Sequence, residues 1–160
     1  SAFYVFTCLT SVKISNNVTS IGDFTFSGCT GLTSIEIPNS VSSIGYNAFR
    51  DCTGLTSVEI PDSVTSIGEH AFRDCKGLKS IEIPNSVKMI LFAAFSDCAE
   101  LSEIKWGNSL EIISDNAFLG TKFSKLNLPE PLREIGGAAF AKCENLEYAK
   151  ISNKNVKFLI

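Results

Sequence analysis

Two stretches of the chain are nearly the same. "AFRDCTGLTSVEIP" runs from Ala48 to Pro61, and "AFRDCKGLKSIEIP" runs from Ala71 to Pro84, 23 residues later. Self-similarity at a fixed period decides architecture before any local reading does. The full phrase is L-x-x-I-x-I-P-x-S-V-x-x-I-G-x-x-A-F-x-x-C. Its leucine falls at Leu9, Leu32, Leu55, Leu78 and Leu101, then as Phe123 after a one-residue deletion, and again as Leu146. Its phenylalanine falls at Phe3, Phe26, Phe49, Phe72, Phe95, Phe118 and Phe140.

These positions divide the chain into a partial repeat 1–8, full repeats 9–31, 32–54, 55–77, 78–100, 101–122 and 123–145, and a degenerate partial repeat 146–160. Phe3 is already in register, so the chain opens inside a repeat and reads as a fragment of a longer one. Each unit has about eight recurring small or apolar positions, too few to bury alone but enough for a continuous core once units stack. "TSIEIP" alternates with period two and is rich in β-branched residues, the pattern of a half-buried strand. Pro38, Pro61, Pro84 and Pro129 end it. "SVTSIG", Ser63 to Gly68, supplies a second short extended piece. "EHAFRDC", Glu69 to Cys75, has helical spacing over about two turns and predicts a short α- or 3₁₀-type segment on the convex side. Strands stacked about 4.8 Å apart make a rod or arc of about 30–35 Å.

The unit "LTSIEIPNSVSSIGYNAFRDCTG", Leu32 to Gly54, resembles the BspA-type leucine-rich repeat, and the resemblance covers essentially the whole chain. It implies a leucine-rich-repeat solenoid with short parallel strands on a concave face. It also implies a surface-exposed or secreted protein of a host-associated bacterium or anaerobic protist, with adhesion to host matrix or cell-surface proteins as the expected role. A structural spacer or stalk in a larger surface protein is the alternative, and an enzyme-associated domain without catalysis of its own is the third. Departures fall toward the C-terminus: Gly107 replaces the proline, Thr121 replaces the cysteine, and "PEPLREIGGAAF" is compressed.

Length and composition fit this reading. The 160 residues suffice for one domain with a sizeable core. Apolar residues make up 44% of the chain. A net charge of −3 gives no reason to expect nucleic acid or an anionic membrane as partner. No apolar run approaches the ~20 residues of a membrane helix. The N-terminal "SAFYVFTCLTSV" lacks a charged region and a cleavage site, so no signal peptide is read there.

The recurring cysteines Cys29, Cys52, Cys75, Cys98 and Cys143 could be bridges, ligands, nucleophiles or packing. Adjacent rungs direct their side chains in parallel, with Cβ atoms about 4.8 Å apart against the usual 3.5–4.5 Å of a disulfide. A linear ladder cannot surround a tetrahedral zinc. A nucleophile needs exposure and a basic partner. Buried thiols acting as small hydrophobes fit best. They form a core ladder with Phe26, Phe49, Phe72, Phe95, Phe118 and Phe140. Cys8 is out of register.

His70 is the single histidine. It shares a helical spacing with Asp74, but no nucleophile–base–orienter set can be assembled around it. It reads as a solvent-facing variable position, and the chain reads as non-enzymatic, with no cofactor and no metal site. Asn17-Val18-Thr19 matches a glycosylation sequon, relevant only to a secreted eukaryotic protein.

The outward strand positions are the candidate binding surface. One column reads Lys13, Glu36, Glu59, Glu82, Lys105, Asn127, Lys150; its neighbour reads Ser11, Ser34, Ser57, Ser80, Glu103, Lys125, Tyr148. The functional reading is a shallow polar groove with an acidic centre for a basic peptide or matrix protein, formed by Glu36, Glu59 and Glu82 with Lys13, Lys105 and Tyr148. The bland reading is a solvated surface whose charges are templated by the repeat. Phe24, Tyr46 and Phe92 are variable exposed aromatics, either contact points or ordinary surface residues. Unpaired strand edges at raw solenoid ends predict end-to-end self-association.

Overall fold

The computed structural model describes residues 7–159, and over them the chain winds as a parallel β-solenoid. Each coil contributes two short strands. The first four coils hold β1 (Ser11–Lys13) and β2 (Ser20–Ile21), β3 (Ser34–Glu36) and β4 (Ser43–Ile44), β5 (Ser57–Glu59) and β6 (Ser66–Ile67), and β7 (Ser80–Glu82) and β8 (Met89–Ile90). The next three hold β9 (Glu103–Lys105) and β10 (Ile112–Ile113), β11 (Lys125–Leu128) and β12 (Glu134–Ile135), and β13 (Tyr148–Ile151) and β14 (Lys157–Phe158). Every ladder is parallel and joins equivalent positions of successive coils. Ser34 pairs with Ser57 and Glu36 with Glu59; Ile112 pairs with Glu134, where the deletion shortens the step by one residue.

The strands alternate as their sequence predicts. In β3 and β5 the outer residues are exposed and the central Ile35 or Val58 is buried. Ile37, Ile60 and Ile83 then turn inward beside the next corner. There Ser40 Oγ donates to Val18 O and Ser63 Oγ to Val41 O, both at 2.7 Å, while Ser86 Oγ does the same to Val64 O. A serine at this slot thus supplies a partner to a carbonyl of the coil below.

The core is a stack of phenylalanines. Ring centroids lie 5.3 Å apart for Phe26–Phe49, 5.0 Å for Phe49–Phe72, 5.3 Å for Phe72–Phe95 and Phe95–Phe118, and 5.5 Å for Phe118–Phe140, all nearly parallel. That spacing is close to the strand-to-strand distance, so one ring per coil fills the axis without a gap. Phe140, under the last coil, is half-buried.

The segment expected to be helical is not. No helix forms among the described residues. In the stretch after Gly45, the N–H groups of Asn47, Phe49 and Asp51 donate to Glu69, Ala71 and Arg73 of the next coil. The intervening Ala48, Arg50 and Cys52 donate three residues back within their own coil. This alternation needs a left-handed residue at two places per coil. One column holds Phe24, Asn47, His70, Ala93, Asn116 and Ala138, with φ of 50–57°. The other holds Gly28, Asp51, Asp74, Asp97, Gly120 and Lys142. A helix would satisfy these N–H groups internally and leave the coils unconnected here. Bonding to the neighbour keeps the repeat rise equal all round the coil.

Candidate functional site

The strand face carries the two predicted columns. Lys13 stands opposite Glu36, Glu36 opposite Glu59, and Glu82 opposite Lys105. β5 and β7 lie side by side, so Glu36, Glu59 and Glu82 follow one another up the solenoid. Lys105 Nζ reaches Glu82 Oε1 at 2.6 Å. Both side chains are well exposed, so this pair adds little stability; among the described residues Glu36 and Glu59 have no cation bridged to them. Tyr148 lies in the neighbouring column, opposite Lys125 and half exposed.

The face is dished rather than flat. An open depression of about 770 Å³ runs over Ser34, Glu36, Asn39 and Glu59. A second, of about 670 Å³, shares Asn39, Glu59 and Pro61 with it and reaches Glu82. A third, of about 250 Å³, continues from Ser80 and Glu82 to Glu103 and Lys105. Together they make one groove, floored by strands and walled by the proline corners. Further along, Lys79, Glu100, Glu103 and Lys122 border another depression of about 710 Å³, where Lys122 Nζ bridges Glu100 at 3.1 Å. The chemistry on offer is hydrogen-bond acceptance and negative charge on a regular spacing.

The cysteine ladder points elsewhere. Cys29, Cys52, Cys75 and Cys98 have no solvent exposure and Cys143 has 9%. Cys52 Sγ donates to Phe26 O, Cys75 Sγ to Phe49 O and Cys98 Sγ to Phe72 O, each at 3.1 Å. Burial raises the pKa of all three thiols, that of Cys52 to about 12. Thr121 departs from this pattern: its Oγ1 donates at 2.9 Å to Phe118 O of its own coil rather than to the coil below. Cys8 is exposed.

His70 and Asp74 do not share a helix face. Asp74 bridges Arg73 at 3.4 Å and Lys76 at 3.9 Å. His70 is half-buried, with its ring 5.7 Å from that of Tyr46 and 5.1 Å from that of Phe92, both edge-to-face. Phe24 adds itself to Tyr46 at 5.2 Å. The aromatics that look dispersed in sequence therefore form one row. Its signal was present: Phe24 and His70 sit one slot later in their coils than Tyr46 and Phe92, so alternate coils use alternate slots. Among the described residues no group of three or more histidine, cysteine or acidic side chains is arranged to hold a metal. No helix among them is long and apolar enough to cross a membrane.

The sequence model of the BspA type Leucine rich repeat region matches in six copies, over residues 1–91 and 65–159. The chain belongs to this family. BspA-type repeats are generally protein-interaction or structural modules. Solved structures of other leucine-rich-repeat proteins resemble this one. The T. pallidum leucine-rich repeat protein superimposes with a TM-score of 0.84 at 31% identity, over 89% of this chain and 67% of that one. A leucine-rich cell surface protein from Faecalibacterium prausnitzii A2-165 gives 0.66 at 30% identity, over 86% of this chain and 44% of that one. A leucine-rich repeat protein from Bacteroides ovatus ATCC 8483 gives 0.69 at 26% identity, over 99% of this chain and 58% of that one. This BspA-type chain thus spans about half the length of the last two. No curated protein sequence is significantly similar to it.

Proposed function

We propose that this chain is a non-enzymatic protein-binding module, an adhesin domain that seats a basic segment of a host matrix or cell-surface protein in the strand-face groove. The observation that carries this reading is the continuous open groove over Glu36, Glu59 and Glu82. The carboxylates of Glu36 and Glu59, one coil apart and without an ion pair among the described residues, attract lysine and arginine side chains of an extended partner, raising its on-rate and fixing its register, while Glu82 is shared with Lys105. The relative from F. prausnitzii is described as a cell surface protein, which supports a cell-surface or secreted location here too.

The test is binding of the triple variant Glu36→Gln, Glu59→Gln, Glu82→Gln to a panel of immobilised extracellular-matrix proteins. The expected result is a loss of about tenfold or more in affinity, with wild-type binding weakened by added salt. Unchanged binding would remove the groove from the assignment. If neither matrix proteins nor cells bind the wild type, the spacer reading takes its place. The unbroken phenylalanine stack, which makes a stiff rod, favours that second reading.

A further inference from the structure

We propose that Phe24, Tyr46, His70 and Phe92 form a second docking surface, separate from the strand groove, for a peptide segment that pairs a basic side chain with an apolar one. The four rings span four successive coils, each meeting the next edge-to-face at 5.1–5.7 Å. Phe24, Tyr46 and Phe92 are 37–40% exposed. The core does not need them, because a different phenylalanine column fills it. A contiguous row of exposed rings differs from lone surface aromatics, and Tyr and Phe are enriched where proteins meet.

The backbone adds an independent argument. Phe24 and His70 hold φ of 55° and 56°. An aromatic side chain is unfavourable there. The same column elsewhere carries Asn47 and Asn116, which tolerate that conformation, and Ala93 and Ala138, whose side chains are far smaller than a ring. Placing rings on strained backbone, outside the core, is a cost that stability does not explain.

Charge selects the partner. Asp23 and Glu69 directly precede Phe24 and His70 and are exposed. Asp23 Oδ1 also accepts the Tyr46 N–H at 2.8 Å, which holds that carboxylate against the row. The cations on the turn side are already engaged, Arg50 with Asp51 at 3.3 Å and Arg73 with Asp74 at 3.4 Å. Burial, with Arg73 and Arg50 nearby, lowers the His70 pKa, so at neutral pH it serves as an uncharged fourth ring. A lysine or arginine of the partner then meets ring faces and carboxylates together. Leu91, the chain neighbour of Phe92, borders a depression of about 370 Å³ that is also lined by Ile67, Met89 and Lys88, the last lying 4.0 Å from Glu111. Leu91 stands where the two preceding coils have Gly45 and Gly68, making this end apolar. It accepts the partner's apolar side chain. The depression shares no residue with the strand groove.

The experiment pans a random peptide library displayed on phage against the wild-type chain, then measures the enriched peptides by fluorescence polarisation. Enriched sequences should combine Lys or Arg with Leu, Met or Phe. The Tyr46→Ser, Phe92→Ser double variant should weaken binding by about tenfold or more. Asp23→Asn with Glu69→Gln should weaken it by about fivefold and flatten its salt dependence. The triple glutamine variant of the strand face should bind as wild type does. Phe24→Asn with His70→Asn, the residue this chain uses at 47 and 116, should weaken binding while the melting temperature holds. Enrichment of acidic peptides, binding that survives Tyr46→Ser with Phe92→Ser, or no enrichment at all would each overturn the proposal. So would a glycan-array ligand that is lost in that double variant when no peptide binds.

Discussion

The thiol of Cys75 donates a hydrogen bond at 3.1 Å to the carbonyl oxygen of Phe49, one coil below. Phe49 O also accepts the N–H of Cys52 at 3.2 Å. The cysteine is thus the top of a small cross-coil clamp. It must be small and apolar enough for the core, yet carry a hydrogen. Alanine lacks the donor and leaves a void. Cys75→Ala should destabilise by about 1–2 kcal/mol in chemical denaturation, since the carbonyl keeps its other partner.

The same burial makes the ladder thiols poor nucleophiles. With pKa values raised in Cys52, Cys75 and Cys98, a thiol reagent at pH 8 should modify exposed Cys8 at once and these three only on unfolding. The raised values also set a pH dependence. The unfolded thiols lose protons above their usual pKa of about 9, before the folded ones do, so this contribution is complete below pH 9 and falls as pH rises toward 12. Native labelling of the ladder as fast as of Cys8 would contradict the packing.

His70 gives the opposite sign. Its pKa is lowered by burial first, then by Arg73 and Arg50, against the pull of Glu69. The unfolded state takes up the proton more readily, so stability is complete above about pH 6.5 and declines as pH falls below it. Denaturation midpoints taken between pH 8 and pH 5 should show a drop that His70→Asn reduces.

Glu36 and Glu59 stand directly opposite one another on adjacent strands. Like charges in that position repel. Glu59→Lys should raise stability by about 0.5 kcal/mol at low salt, and the gain should shrink as salt is added. The same change should impair any basic partner of the groove, separating binding from folding in one variant.

Ala138 holds φ of 55° on an exposed corner. Ala138→Gly should raise stability by about 1 kcal/mol by removing the Cβ penalty of that conformation. Ala139→Gly is the control. Its residue is buried and its φ is not positive, so the same substitution one position on should lower the melting temperature.

Much of this was legible in the sequence. The strand register follows from the 23-residue spacing, because a ladder pairs equivalent residues once the coils stack. The Phe26-to-Phe140 stack follows for the same reason. The Glu36, Glu59, Glu82 column was legible as a line of charge, but its dishing depends on how far the proline corners stand out. The turn was misread. Ala48, Phe49 and Cys52 have the spacing of an apolar helix face, and periodicity cannot see φ. The corrective signal lay down the columns: Asn47 and Asn116 in one, Gly28 and Gly120 in the other, residues that accept the left-handed state. His70 was misread as solvated because Tyr46 and Phe92, its neighbours in space, belong to other coils.

The coil-to-coil bonds have a kinetic consequence. Ser40 reaches back 22 residues, Thr56 reaches back 23 and Cys75 reaches back 26. The chain therefore never has to close a loop much longer than one coil, however many coils it has. Loop-closure entropy stays constant per added coil, and contacts remain local on the scale of the whole molecule. Folding can start at whichever pair of coils docks first and zip outward in both directions. A disruptive substitution in a middle coil should then divide the molecule into two separately melting blocks, while the same lesion near a terminus only shortens one.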